Sequence, residues 1–184
     1  MTFEDVFIVG LKVIQPRVFE DSRGYFYESY NQNAFENAGI KDNFVQSNQS
    51  LSQKGVLRGM HFQIPPHDQS KLVRVIRGAV LDVVVDIRQG SPTYGKHFSI
   101  ELSEENKTML YIPSGFAHGF LTLRDETLFS YKCGTFYNKD AEQGLMWNDS
   151  EIGIDWKIEN PILSEKDTRN ELLKDFESPF KFNS

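Results

Sequence analysis

The sequence predicts a mainly β protein, an antiparallel sandwich or barrel, on three observations. From residue 72 onward, short runs of alternating apolar residues follow one another at regular spacing, separated by Gly, Pro and Asp turns. Aromatic residues make up 13% of the chain, with fifteen Phe, a bias that suits pleated surfaces better than a helical bundle. The 184 residues carry no repeat of solenoid period and no low-complexity linker, and support one domain with a sizeable core.

In chain order, residues 5–14 are rich in β-branched side chains and stop at Pro16, which predicts a strand. The turn cluster Asp21 to Gly24 leads into a second, aromatic strand, Tyr25 to Tyr30. Asn31 is a candidate N-cap for a short helix that Gly39 stops. Residues 44–50 read as a polar strand, a poor core pattern but a good pocket wall. Strands follow at 72–76, 79–88, 97–102, 109–112, 116–123 and 127–135. In the second of these, Leu81, Val83, Val85 and Ile87 face one way, and Val80, Asp82, Val84, Asp86 and Arg88 the other, with Asp82, Asp86 and Arg88 forming a structural charge group. The segment 147–156 reads as loop, and residues 164–177 as a C-terminal helix opened by a capping-box pattern, with Leu172, Leu173 and Phe176 as its apolar face. The core barrel is expected at about residues 40–137.

A net charge of −6 argues against nucleic acid as a partner, because phosphate backbones need a positive surface. Cys133 is the only cysteine, which fits a reducing compartment. No apolar run reaches the length of a membrane span, and residues 1–5 lack a basic leader, so a cytoplasmic location is expected.

The stretch Val56 to Arg74 concentrates the chemistry: Arg58, His61, Gln63, Lys71 and Arg74, broken by Pro65-Pro66. Two prolines force a turn, so these side chains come from two strands joined by a loop. Alternation sends His61 and Gln63 to one face, Arg58, Met60 and Phe62 to the other, and groups Lys71 with Val73 and Val75. An imidazole that takes a proton beside an ammonium that holds a developing oxyanion is a catalytic pairing. Taken singly, each residue has a plainer reading: core histidine, surface lysine, strand tyrosine, helix-capping aspartate. His67 and His97 are read as surface residues.

Two segments resemble the paired motifs of the cupin superfamily, a small antiparallel β-barrel or jelly roll. His61-x-Gln63 takes the place of a His-x-His pair, Lys71 fills the slot of a metal-binding glutamate, and residues 113–118 match Pro-x-Gly-x-x-His. Glutamine and an ammonium at those positions disfavour a cation, so no metal is expected.

The segments SRGYFYE (22–28), LRGMHFQ (57–63), PPHDQSK (65–71), GAVLDVVVDIRQGSPTYG (78–95), IPSGFAHGF (112–120) and LSEKD (163–167) together resemble the dTDP-4-dehydrorhamnose 3,5-epimerase family, in order along nearly the whole chain. The resemblance implies a cofactor-independent isomerase acting on dTDP-4-dehydro-6-deoxy-D-glucose, whose C4 ketone acidifies the protons on C3 and C5. It implies His61 as base, Asp167 orienting it, Lys71 holding the enolate oxygen and Tyr131 as the acid on the opposite face. Arg58 and His118 would contact sugar or phosphates. Arg23, Phe26 and Glu28 would meet the nucleotide, Gln46, Ser47 and Asn48 would line its groove, and Tyr137 would stack on thymine. Glu142 and Lys166 fall at further ligand contacts. A homodimer is implied, with N-terminal strands (residues 5–30) exchanged so that Arg23 and Glu28 reach the neighbouring site. Alternatives from the same residues are a mono-epimerase acting at one carbon, a non-catalytic sugar-nucleotide-binding cupin, and a metal-dependent cupin oxygenase.

Overall fold

The computed structural model describes residues 1–182 as two antiparallel sheets packed face to face. The strands are β1 (Thr2–Asp5), β2 (Lys12–Gln15), β3 (Phe19–Asp21), β4 (Gly24–Phe26), β5 (Gln46–Ser52), β6 (Leu57–Gln63), β7 (Lys71–Arg77), β8 (Ala79–Asp86), β9 (His97–Ser103), β10 (Met109–Ile112), β11 (Phe116–Thr122), β12 (Thr127–Cys133) and β13 (Glu142–Gly144). One sheet runs β1-β2-β10-β7-β12-β5, the other β13-β6-β11-β8-β9, and β3-β4 form a separate exposed hairpin. The mainly β architecture and six central strands agree with the sequence reading to within a few residues at each end.

Strand alternation builds three apolar layers. Val73, Val75, Leu110, Ile112 and Phe129 from the six-stranded sheet meet Val80, Val84, Leu102, Phe116 and Phe120 from the other, and Ile8 and Leu11 close one end. Val83, Val85 and Ile87 face outward, as the alternation predicts, and are covered by the chain after β13 through Leu145, Ile152, Trp156, Leu173 and Phe180. On the far side Leu72, Met109 and Tyr111 are covered by Phe35 and Ile40. Phe35 belongs to the one α-helix among the described residues, α1 (Gln32–Asn37), whose N-cap Asn31 accepts from the Ala34 amide at 3.2 Å.

Three expected elements differ. The strand over 5–14 is two strands, β1 and β2, folded on each other around a turn at Gly10 (φ +102°), which tucks Ile8 and Leu11 into the core. The strand over 25–30 ends at Phe26. The helix over 164–177 does not form: turns occupy that stretch, and its helical content is a single 3-10 turn at Leu173–Asp175. Burial overrides helix propensity there. The Met146 amide donates to the Glu171 carbonyl at 2.7 Å, the Leu173 amide donates to Asp149 at 2.6 Å, and Leu173, which opens the 3-10 turn, is pressed into the outer core.

Candidate active site

Between the sheets lies a cavity of about 510 Å³, lined by side chains of β5, β6, β7, β11 and β12 and by the 162–167 segment. Its polar lining includes Gln46, Asn48, Arg58, His61, Gln63, Lys71, His118, Tyr131, Tyr137, Glu142 and Asp167.

His61 and His118 are cross-strand partners on β6 and β11. Between His118 and Phe120 the register slips: Phe120 opposes Arg58, so β6 spends three steps where β11 spends two. The bulge at Gly59 resets the alternation, and Arg58 faces the cavity with His61 instead of the opposite side expected from period-2 reading. Its guanidinium Nε donates to Ser52 Oγ at 3.2 Å.

The His61 Nε2–H donates to Asp167 Oδ1 at 2.5 Å. Asp167 is 2% exposed, and its second oxygen accepts from Ser164 Oγ at 2.7 Å. Burial pushes this carboxyl up, but the bonds from His61 and Ser164 outweigh it and hold the group below the ordinary aspartate range. Asp167 therefore stands as a carboxylate that fixes the imidazole. The Ser-x-x-Asp pattern does close a local turn, since the Asp167 amide donates to Ser164 Oγ at 3.3 Å, but the acid serves the histidine rather than a helix.

Lys71 is 9% exposed, and its Nζ reaches only the His61 carbonyl, at 3.5 Å. Burial depresses its affinity for a proton, while Cys133, Glu142 and Asp82 work in the other direction. Among the described residues no carboxylate is in direct contact with its Nζ. Tyr131, opposite Asn48 on β5, has its phenol pushed up by burial and by Cys133, against smaller opposing effects of Asn48 and Arg58. It stays protonated at neutral pH.

His118 carries a second carboxylate that the sequence reading assigned elsewhere. Its Nε2 sits 2.9 and 3.0 Å from the two oxygens of Asp82, which is fully buried on β8. Asp86 alone pairs with Arg88, at 2.7 Å, and also accepts from Ser91 and Thr93. The available signal was position: Asp82 lies mid-strand among apolar residues, where a carboxylate needs a partner, and the Pro-x-Gly-x-x-His motif supplies it. Ser164 was also missed.

At the mouth, Tyr137 Oη donates to Glu142 at 2.7 Å and Lys166 pairs with the same carboxylate at 2.5 Å, so Lys166 reaches the site through Glu142. Ser47 is exposed and outside the lining. Arg23, Phe26 and Glu28 are not in the cavity either; Arg23 and Phe26 line a shallow depression on the β3-β4 hairpin, and Glu28 accepts from Asn31. His67 is exposed as expected, whereas His97 is half-buried and bonded to the Ile152 carbonyl at 3.1 Å.

An imidazole fixed by a carboxylate, a buried lysine and a protonated phenol line one cavity of an antiparallel β scaffold, and the protein is an isomerase. The chain belongs to the dTDP-4-dehydrorhamnose 3,5-epimerase family, whose sequence profile matches residues 5–175. It is 52% identical over 169 residues to the dTDP-4-dehydrorhamnose 3,5-epimerase of Shigella flexneri, covering 91% of this chain and 93% of that one. Its fold superposes with a TM-score of 0.91 on the crystal structure of dTDP-4-dehydrorhamnose 3,5-epimerase from Elizabethkingia anophelis, 49% identical, covering 95% of this chain and 97% of that one. The dTDP-6-deoxy-D-glucose-3,5-epimerase of Legionella pneumophila, solved in complex with dTDP-4-keto-L-rhamnose, is 42% identical with a TM-score of 0.95, covering 100% of this chain and 99% of that one.

Proposed function

We propose that this protein converts dTDP-4-dehydro-6-deoxy-D-glucose to dTDP-4-dehydro-L-rhamnose in dTDP-L-rhamnose biosynthesis. The observation that carries the reading is the convergence of His61–Asp167, Lys71 and Tyr131 on one cavity. His61 takes the proton from a carbon α to the C4 ketone, and Asp167 stabilises the imidazolium that results. The electron pair moves onto the ketone oxygen as an enolate, which Lys71 holds. Tyr131 delivers a proton to the opposite face of that carbon, inverting it; solvent then takes the proton from His61 and restores the one Tyr131 gave, and the same sequence at the second carbon completes the reaction. Every electron pair stays within the sugar, so the chemistry calls for neither a redox cofactor nor a metal.

Arg58 and His118 hold the sugar or the phosphates, with Asp82 fixing the His118 ring. Gln46, Asn48, Tyr137, Glu142 and Lys166 receive the nucleotide, with Tyr137 stacking on the base. Arg23, Phe26 and Glu28 sit on an exposed hairpin that leaves Phe26 66% and Tyr25 56% exposed. This suits an arm that docks on a second copy and completes its nucleotide site. The working unit is then a homodimer with exchanged N-terminal strands, acting on a sugar nucleotide in the cytoplasm.

The test is proton NMR of dTDP-4-dehydro-6-deoxy-D-glucose incubated with the protein in deuterated water. Deuterium at both C3 and C5, abolished by His61→Ala, is the expected result. Exchange at one carbon makes the protein a mono-epimerase, and exchange at neither removes the catalytic reading.

A further inference from the structure

Gln63 occupies a position where a metal-binding cupin would carry a ligand, yet its side chain is spent on backbone. It is 4% exposed and lies two residues after His61 on β6. Its Nε2 donates to the His67 carbonyl at 2.6 Å and to the Phe136 carbonyl at 3.3 Å, and its Oε1 accepts from the Asn138 amide at 2.7 Å. The two grips on the β12–β13 connection fall on the residues immediately before and after Tyr137. The Tyr137 amide itself donates to Gln46 Oε1 at 2.9 Å. A neighbouring set ties down the start of the same connection: Gln69 Nε2 donates to the Thr135 carbonyl at 2.7 Å, and Thr135 Oγ1 donates to the His67 and Asp68 carbonyls at 3.1 and 3.0 Å.

This matters because Tyr137 has little else to hold it. It is 55% exposed, and its hydroxyl contact with Glu142 is a rim interaction. Order at an exposed aromatic must come from its backbone. A buried primary amide is the neutral group that donates two hydrogen bonds and accepts at the same point. Glutamate in its place would put a buried anion against two carbonyls, and an apolar residue would leave the carbonyls and the Asn138 amide unsatisfied. Asn138 then caps the 3-10 turn Lys139–Ala141, accepting from the Asp140 and Ala141 amides at 2.9 and 3.2 Å, and this turn delivers Glu142 to its place opposite Gln63 in the β6–β13 ladder.

We infer that Gln63 is a positioning residue for nucleotide binding, which sets the ring of Tyr137 and the carboxylate of Glu142 at the cavity mouth by clamping the backbone on both sides of Tyr137. The inference rests on the reading above that Tyr137 stacks on the base. Two substitutions separate its parts: Gln63→Met keeps the length and deletes the amide, and Gln63→Glu keeps the acceptor for Asn138 but deletes both donors. The expected result for Gln63→Met is a rise of about tenfold in KM and in the Kd for dTDP, with kcat changed by less than about threefold. Gln63→Glu, which sets a carboxylate against the same two carbonyls, loses at least as much dTDP affinity as Gln63→Met. In a Tyr137→Ala background Gln63→Met adds no further loss of dTDP affinity, because the two act through one contact.

A fall in kcat with unchanged KM would overturn the inference and place Gln63 in support of His61. Additive losses in the double variant would overturn it as well. If Tyr137→Ala binds dTDP as tightly as wild type, the stacking reading fails by itself, independently of the Gln63 results. Should Gln63→Met not fold, Gln63→Glu carries the test through amide hydrogen exchange: faster exchange at Tyr137, with Asn138 still protected, is expected, and an unchanged Tyr137 rate would refute the clamp.

Discussion

Arg58 and His61 are three residues apart on one strand and line the same cavity, a spacing that regular alternation forbids. The bulge between them brings β6 and β11 very close: a Cβ placed on Gly59 would lie 2.6 Å from Gly119 Cα, and one on Gly119 would lie 2.8 Å from the Arg58 carbonyl oxygen. Two facing glycines are thus the condition for putting a guanidinium and an imidazole on one wall. Gly59→Ala is expected to destabilise the fold by about 1–3 kcal/mol, since backbone and not a yielding side chain is in the way. Urea unfolding measures the loss, and kcat/KM falls with it because Arg58 and His61 no longer share a face.

Asp167→Asn keeps the size of the group that fixes His61 and removes its charge. The expected loss in kcat is on the order of 10² to 10⁴, with a smaller change in KM, read from steady-state kinetics. The pH dependence of stability follows the same carboxylate. Its folded value lies below the ordinary 3.8, so it contributes stability that is full above that value and is lost as pH falls through the lower, folded one. The Tm difference between wild type and Asp167→Asn should therefore be constant near neutrality and shrink below about pH 4.

Much of this was legible in the chain. The strands of the two central layers announce themselves by apolar alternation, and Asn31 reads correctly as an N-cap because capping is a local interaction. What escaped was decided by tertiary burial. The Leu172–Leu173 pair has helical spacing relative to Phe176, but that segment packs on the outer face of the five-stranded sheet as turns and a single 3-10 turn. Asp82 and Asp86 share a face, yet four residues along the strand separate a buried cluster of Asp86 with Arg88, Ser91 and Thr93 from the contact of Asp82 with His118. Arg58 was misplaced because a bulge leaves no mark in the residue pattern beyond its glycine.

Burying Lys71 carries a cost in stability. With burial pulling its proton affinity below the usual 10.5, the unfolded chain holds the proton more firmly than the folded one. The cost is full below the depressed folded value and disappears as pH rises through 10.5. Lys71→Met is expected to raise stability at pH 7 by about 1–3 kcal/mol while abolishing turnover. Urea unfolding at neutral and alkaline pH checks the sign: the advantage of the methionine variant must narrow as pH rises.

The exchanged arm gives a test that needs only mixing. If Arg23 acts in the partner's site, Arg23→Ala and His61→Ala are each defective as homodimers. Unfolded together and refolded, they form heterodimers in which one site carries both lesions and the other carries neither. Activity should recover to about a quarter of wild type with random pairing. Recovery no greater than the sum of the two variants would return Arg23 to its own subunit's surface.

Tyr131→Phe separates proton removal from inversion. In the proposed reaction the phenol is one half: in the variant His61 would still take a proton from one face of the carbon α to the ketone, and Lys71 would still receive the enolate. Without a donor on the opposite face, the enolate is reprotonated from His61, whose proton has meanwhile exchanged with solvent. In deuterated water the substrate should therefore acquire deuterium with its configuration retained, while epimerised product falls by about 10² or more. NMR reports both quantities in one sample. Parallel loss of exchange and product would mean that Tyr131 is needed for proton abstraction itself, and would transfer the role of opposite-face acid to another group in the lining, of which His118, backed by Asp82, is the first to substitute.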